Sequence, residues 1–206
     1  MRKVLLSLMT IALVGILIGG GVHAYFADTE TSTGNTFTAG TLDLRVDSEN
    51  PWTSTAVTVS DMEPGVAAAD VDLTCENVGT LTGDLYMRIT SVSDAGSTIG
   101  EPECVAEGGS WTSPSGPCSG NTPVDDISTK ITLNCEVDAS PVAGLDSILL
   151  SAVPGTWTLI RDDIAGSSIT LSIGGTLSSS ATNEYQGDRS TFTIELYLAQ
   201  DGQTPT

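Results

Sequence analysis

The fold class of this chain is decided by the stretch Lys130-Ile131-Thr132-Leu133-Asn134-Cys135. Apolar and polar residues alternate here with a period of two, as they do in a β-strand with one buried face. The same period predicts strands over residues 41–46, 56–59, 71–76, 84–92, 127–137, 156–160, 169–173 and 190–199. One short helix is predicted at residues 143–152. Many short strands separated by Gly, Pro, Asn and Ser predict an all-β fold, an antiparallel sandwich.

The first 24 residues have the composition of a secretory leader. Arg2 and Lys3 precede an apolar run from Val4 to Ile18, and three glycines follow at positions 19–21. Val22-His23-Ala24 then places small residues three and one positions before a cleavage point between Ala24 and Tyr25. We predict a cleavable signal peptide that forms a hydrophobic helix. The alternative is an uncleaved membrane anchor, since the run approaches the roughly 20 residues that span a bilayer.

The remainder of the chain is strongly acidic. Removing the leader takes away two of the seven basic residues and none of the 26 acidic ones, so the net charge falls from −19 to about −21. Nucleic acids and anionic lipids bind through Lys and Arg, so we expect no nucleic-acid partner and membrane contact through the leader alone.

Histidine chemistry is missing from the predicted mature chain, because the single histidine, His23, lies in the leader. This excludes a Ser-His-Asp triad, a Cys-His pair and a histidine-ligated zinc site. We therefore expect no enzyme, no catalytic residues, no metal site and no cofactor. Carboxylate-only catalysis stays open in principle, but no pair of acids stands out.

Four cysteines, an even number in an exported chain, predict two disulfides among Cys75, Cys104, Cys118 and Cys135. Three connectivities are possible. Cys104 and Cys118 flank a Gly/Pro/Ser-rich stretch and suit a local bridge. Cys75 and Cys135 each lie in a strand pattern and would join neighbouring strands. A four-thiolate metal site is the alternative, although the short Cys-x-x-Cys spacing is missing.

Residues 94–124 interrupt the strand pattern with a long Gly/Ser/Pro-rich segment, which we interpret as a surface insertion between core strands. Two kinds of binding remain as alternatives elsewhere. Acidic residues at 125–126, 138, 146 and 162–163 would suit calcium, and Trp52, Trp111 and Trp157 would suit glycan stacking. Both belong to an alternative hypothesis, a monomeric acidic surface protein that binds cations or glycans.

The residues around the predicted cleavage point resemble a known family. Ala24-Tyr25-Phe26-Ala27-Asp28, followed by Thr36-Phe37-Thr38-Ala39-Gly40-Thr41-Leu42-Asp43-Leu44, is similar to the start of TasA/camelysin-type proteins. Two later stretches also resemble family motifs: residues 62–65 with 73–79, and residues 183–188 leading into 192–200. Some relatives are described as metalloproteases, but this sequence does not contain the His-Glu-x-x-His motif that such zinc enzymes use.

This resemblance implies a jelly-roll-like β-sandwich that assembles into extracellular filaments, as in biofilm matrix fibres and archaeal bundling pili. It implies processing by a SipW-type signal peptidase and a head-to-tail homopolymer built by donor-strand exchange. The implied donor strand is Tyr25-Phe26-Ala27-Asp28-Thr29-Glu30-Thr31. The expected layout is a signal peptide at 1–24, a donor strand and linker at 25–34, and a sandwich domain at 35–206.

Overall fold

The computed structural model describes residues 2–20, 38–52, 62–96, 99–112 and 117–205. The chain divides into two compact units, Met1–Thr38 and Ala39–Thr206. The first unit contains helix α1, Arg2–Gly20, whose described apolar side chains are exposed to solvent. Within the described residues, no helix combines the length and apolar character needed to cross a membrane.

The second unit is built almost entirely of antiparallel strands. In chain order the strands are β1 Leu44–Val46, β2 Val71–Asn77, β3 Gly83–Ala95, β4 Ser110–Trp111, β5 Cys118–Ser119, β6 Ile131–Val137, β7 Ser140–Pro141, β8 Thr158–Ile164, β9 Ser168–Leu177 and β10 Arg189–Gln200. A short helix, α2 (Glu101–Ala106), precedes β4, and three 3-10 turns occur at Ile127–Thr129, Leu150–Ala152 and Asn183–Tyr185.

Two larger sheets face each other across one core. The first has the order β1-β2-β9-β6-β7 and the second has the order β10-β3-β8, while β4 and β5 form a separate hairpin. The core contains Leu73, Leu133 and Leu171 from the five-stranded sheet, packed with Leu85 and Met87 from β3. The predicted all-β antiparallel sandwich behind an N-terminal helix is therefore confirmed.

A buried asparagine ties the turn after β2 to the opposite sheet. Asn77 is fully buried, and its Nδ2 donates to the carbonyl oxygens of Leu81 (2.7 Å) and Ile164 (2.9 Å). Its Oδ1 accepts from the backbone N–H of Gly79 at 3.0 Å. Since each of these atoms would otherwise be buried without a partner, Asn77 fixes where the chain crosses between the two sheets.

The insertion predicted at residues 94–124 has more regular structure than the sequence suggested. It holds α2 and the β4–β5 hairpin, and a disulfide joins Cys104 to Cys118 with Cα atoms 5.7 Å apart. Buried Glu107 accepts hydrogen bonds from Asn121 Nδ2 (2.7 Å) and the N–H of Val124 (2.8 Å). The disulfide and the hydrogen bonds of Glu107 thus both join helix α2 and its C-terminal end to residues 118–124.

The predicted bridge between Cys75 and Cys135 is wrong: both are free, buried thiols. The two strands are not neighbours, because β9 lies between β2 and β6. Cys75 is opposite Ile169 of β9, whereas Cys135 is opposite Ile173. Two strand spacings and four residues of rise put their Cα atoms about 17 Å apart, far beyond the roughly 7 Å that a disulfide spans.

Several secondary-structure predictions also need correction. The strand predicted at 127–137 begins with the 3-10 turn Ile127–Thr129, and β6 covers Ile131–Val137. The segment expected as a helix, residues 143–152, contains only the 3-10 turn Leu150–Ala152, and the first strand is limited to Leu44–Val46. The strand predicted at 56–59 lies outside the described residues. The Pro64–Gly65 turn forms as expected, since Val66 N–H bonds to the Glu63 carbonyl and Gly65 adopts φ +80°.

Candidate functional site

The tenth strand forms one edge of the three-stranded sheet. β10 pairs with β3 along most of its twelve residues, from Arg189 opposite Ala95 to Gln200 opposite Gly83. In the part of the chain that the structure describes, no strand pairs with the other edge of β10. A long edge strand presents a row of backbone N–H and C=O groups that can pair with a further strand.

The core is incompletely covered along this edge. On β3, the inward side chains of Leu85 and Met87 are fully buried. On β10, the row facing the same core is only half-buried; it comprises Phe192, Ile194, Leu196 and Leu198. Among the residues that the structure describes, the inward row of β10 is therefore less covered than the inward row of β3.

An apolar groove opens beside the beginning of β10. Its volume is about 640 Å³, and it extends between the two sheets next to the 3-10 turn Asn183–Tyr185. Ile131, Leu133, Ile173 and Leu177 of the five-stranded sheet line it, together with Phe192 of β10. A row of apolar side chains beside a free strand edge suits an extended segment whose alternate side chains enter the groove.

Two polar residues of β10 stand at the groove. The Oγ atom of Ser190 is buried and has no hydrogen-bond partner, although Ser190 lines the groove. Arg189 is exposed at the same end. After the leader the chain has four arginines, and the other three form ion pairs: Arg45–Glu76, Arg88–Glu195 and Arg161–Asp138. Within the described residues, Arg189 forms none.

The turn at the groove's rim is held by a small apolar cluster. Tyr185 is buried with Ile127, Leu177 and Ala181, and Lys130 Nζ lies 5.5 Å from the centre of its ring. Burial raises the pKa of the Tyr185 hydroxyl, and the nearby carboxylate of Asp126 raises it further.

The residues predicted to act in export and assembly cannot be placed against this groove. The cleavage point Ala24–Tyr25 and the donor segment Tyr25–Thr31 lie outside the described residues. The surface that could accept such a segment, the edge of β10 with its groove, was not predicted from the sequence. The strand over 190–199 was predicted, but alternation alone does not distinguish an edge strand from a central one.

Two of the acidic residues proposed for calcium, Asp138 and Asp146, are engaged by the protein itself. Asp138 pairs with Arg161 and accepts from the N–H of Thr170, and Asp146 accepts from the N–H of Cys135. Asp163, from the same predicted set, instead lies with Asp84 and Asp201, and the carboxylate oxygens of these three residues are within 4.8 Å of one another. Buried Asp84 accepts from the N–H groups of Asp163 and Gly202, so its carboxylate joins β8 to the turn after β10.

The three tryptophans do not form one platform. Trp52 and Trp157 line a shared cavity of about 410 Å³ beside β10, whereas Trp111 belongs to the β4–β5 hairpin. The guanidinium of Arg88 lies 4.3 Å from the centre of the Trp157 ring, and Tyr197 lies 5.7 Å from it. Trp157 is therefore part of a packed cluster on the outer face of the three-stranded sheet.

The fold and the site define an acidic, antiparallel β-sandwich protein with an apolar helix at its start and, among the described residues, a long edge strand, β10, whose inward row is half-buried. A family model described as Camelysin metallo-endopeptidase matches residues 1–96, from α1 to the end of β3. This match, over somewhat less than half of the chain, supports its assignment to the TasA/camelysin family. No curated protein matches the chain.

Proposed function

We propose that this protein is a secreted structural subunit that polymerises by donor-strand exchange into an extracellular filament. In this proposal a SipW-type signal peptidase cleaves after Ala24 and frees a new N-terminus at Tyr25. Residues Tyr25–Thr31 of one copy then add as a strand to the free edge of β10 in the next copy.

The observation that carries the proposal is the open edge of β10. Its inward apolar row is half-buried while the equivalent row of β3 is fully buried, and an apolar groove continues from it. One added strand would widen the three-stranded sheet to four, pair the free backbone groups and cover the exposed part of the core. Backbone pairing would supply affinity, and the pockets between the sheets would supply specificity.

The donor segment has a sequence suited to such a groove. In an extended strand, Tyr25, Ala27, Thr29 and Thr31 share one face, whereas Phe26, Asp28 and Glu30 share the other. The side chains of the first face carry no charge, so they can face the groove while the carboxylates of the second face point to solvent. The seven residues of the donor segment extend over about 23 Å in a strand, which is shorter than the twelve-residue strand β10.

This contact makes a filament because donor and acceptor are different surfaces of the same subunit. Such head-to-tail contacts do not close on themselves unless the rotation between copies forms a ring. Processing before Tyr25 would therefore control assembly, since the donor segment is tied to the leader until cleavage.

A structural role also agrees better with the sequence than the activity named in the family description. The only histidine is His23, in the leader, and the chain has no His-Glu-x-x-His motif. Among the described residues, the cluster suited to a metal ion is the all-aspartate group around Asp84, whose buried carboxylate accepts two backbone hydrogen bonds.

The proposal is tested by removing the donor segment. We expect mature protein beginning at Tyr25 to form filaments that are visible by negative-stain electron microscopy. A variant beginning at Gly34 is expected to keep the β-sheet circular dichroism spectrum but to remain monomeric in analytical ultracentrifugation. Filaments formed by the shortened variant would contradict donor-strand exchange.

A synthetic peptide of residues 25–33 provides the matched control. It is expected to bind the shortened variant and to block assembly of the mature protein. The same peptide with Thr29→Pro lacks one backbone N–H and cannot complete the ladder, so we expect it to bind much more weakly. Equal binding of both peptides would show that strand pairing is not the mode of contact.

A further inference from the structure

We propose that Arg189 sets the register of the incoming strand by pairing with a carboxylate of the next subunit's donor segment, Asp28 or Glu30. This inference rests on the proposed function and adds the residue that recognises the donor. It starts from the side-chain alternation of β10, in which exposed and half-buried residues follow one another from Arg189 to Thr193.

Arg189 belongs to the exposed row of this alternation. The exposed row contains Arg189, Thr191 and Thr193, and the half-buried row contains Ser190 and Phe192, which line the groove. A strand added to this edge continues both rows, because side chains on neighbouring strands share the face of the sheet. Donor residues on the solvent face therefore lie next to the Arg189 row.

Charge complementarity identifies the donor face. With the neutral face of Tyr25, Ala27 and Thr29 in the groove, Asp28 and Glu30 lie on the solvent face, beside the exposed row of β10. Within the described residues, Arg189 is the arginine of the sandwich unit that forms no ion pair. The chain as a whole has a net charge of −19, so carboxylates are abundant. A guanidinium without a partner is unusual among so many carboxylates and is available to a cross-strand partner.

Ser190 gives an independent indication that a polar strand belongs at this edge. Its buried hydroxyl lines the groove and has no partner. A buried hydroxyl without a hydrogen bond destabilises the subunit, and an incoming strand supplies both backbone and threonine partners. Arg189 on one face and Ser190 on the other would then restrict the donor to one register, since a shift by one residue exchanges the two faces.

The test measures the critical concentration for assembly of the full mature chain, by sedimentation. We expect Arg189→Gln to raise this concentration about fivefold, since it removes one cross-strand ion pair, and Arg189→Glu to raise it further by repulsion. Arg45→Gln changes the net charge equally but lies on β1, in the other sheet, and is expected to assemble as the wild type does.

A charge swap identifies the partner. Asp28→Lys and Glu30→Lys are each combined with Arg189→Glu, and we expect one of the two combinations to restore assembly to within about threefold of wild type, with opposite charges again facing each other. The role of Arg189 in setting the register is wrong if the Arg189→Glu variant assembles at the wild-type critical concentration, or if neither combination restores assembly. Either result would leave donor-strand exchange itself uncontradicted. Absence of filaments from the wild type would overturn both.

Ser190→Ala supplies a second measurement that does not depend on charge. Because it removes a hydroxyl that has no partner in the subunit, we expect the urea midpoint of the monomer to stay the same or rise. Assembly is expected to weaken, because the donor loses a hydrogen bond. A lower midpoint with unchanged assembly would show that the hydroxyl acts within the subunit and would contradict its role in the groove.

Discussion

Cys75 and Cys135 face the same core from two strands of one sheet, yet a third strand keeps them apart. Cys75 lies opposite Ile169 and Cys135 lies opposite Ile173, on the two sides of β9. Both thiols are fully buried. They therefore act as small apolar side chains of the core, and the single bridge among the described residues, Cys104–Cys118, lies in the insertion.

The two buried thiols predict a loss of stability at alkaline pH. Burial raises the pKa of each thiol from 9.0 to about 12, with smaller contributions from Asp47 for Cys75 and from Asp146 for Cys135. Unfolded thiols ionise above pH 9 while folded ones stay protonated. The free energy of unfolding should thus hold below pH 9 and fall between pH 9 and 12, by up to about 1.4 kcal/mol per pH unit for each thiol.

Urea unfolding at pH 7.5 and at pH 10 measures this loss. A Cys75→Ala/Cys135→Ala variant is the control. Because removing the two sulfur atoms leaves cavities that lower its stability at both pH values, only the change in the free energy of unfolding between the two pH values is compared with that of the wild type. We expect the variant to lose less stability than the wild type between the two pH values. An equal loss in both proteins would assign the alkaline sensitivity to other groups.

The Cys104–Cys118 bridge is expected to stabilise the subunit by about 3 kcal/mol, the value for a closed loop of about 15 residues. Replacing both residues by serine should lower the thermal midpoint, and reducing agent should lower the midpoint of the wild type to a similar value. The Cys75→Ala/Cys135→Ala variant should keep its sensitivity to reducing agent. If it lost that sensitivity, the bridge would be formed by other cysteines.

Asn77 is expected to be the most sensitive polar residue of the core. Asn77→Asp removes the donor that serves the carbonyls of Leu81 and Ile164 and buries a charge, so we expect a loss of at least about 3 kcal/mol. Urea unfolding measures it. Exposed Asn183→Asp is the matched control and should change stability by less than about 0.5 kcal/mol. Similar losses in both variants would contradict the role given to Asn77.

Glu107 is expected to hold the end of the insertion. Glu107→Ala leaves the N–H of Val124 without its acceptor and should cost about 1–3 kcal/mol, with faster amide hydrogen exchange at residues 121–124. Exposed Glu101→Ala, at the start of the helix α2 that Glu107 follows, should leave exchange at these residues unchanged. Unchanged exchange in the Glu107 variant would show that the carboxylate does not order this segment.

Much of the sandwich could be predicted because strand alternation is a local property. The predicted segments 71–76, 84–92, 169–173 and 190–199 all fall within observed strands, and of the segment 127–137 the part 131–137 does. Helix α2 was missed because it is short and lies in a Gly/Ser/Pro-rich segment, where Pro102 in its first turn and buried Glu103 and Cys104 define it. The helix expected at 143–152 was wrong because its apolar residues pack as a loop around the single turn Leu150–Ala152.

The sequence by itself determined the acidic all-β class and the resemblance that the family match supports, since charge, periodicity and motifs are properties of the chain; the leader stays a prediction. Only the tertiary structure decided which strands are neighbours. Strand order placed β9 between the two cysteines and left β10 at an edge, with its apolar row half-buried beside the groove. Alternation tells which residues of a strand face the core. Long-range pairing decides which strands lie beside it, and among the described residues β10 has a neighbouring strand, β3, on one side only.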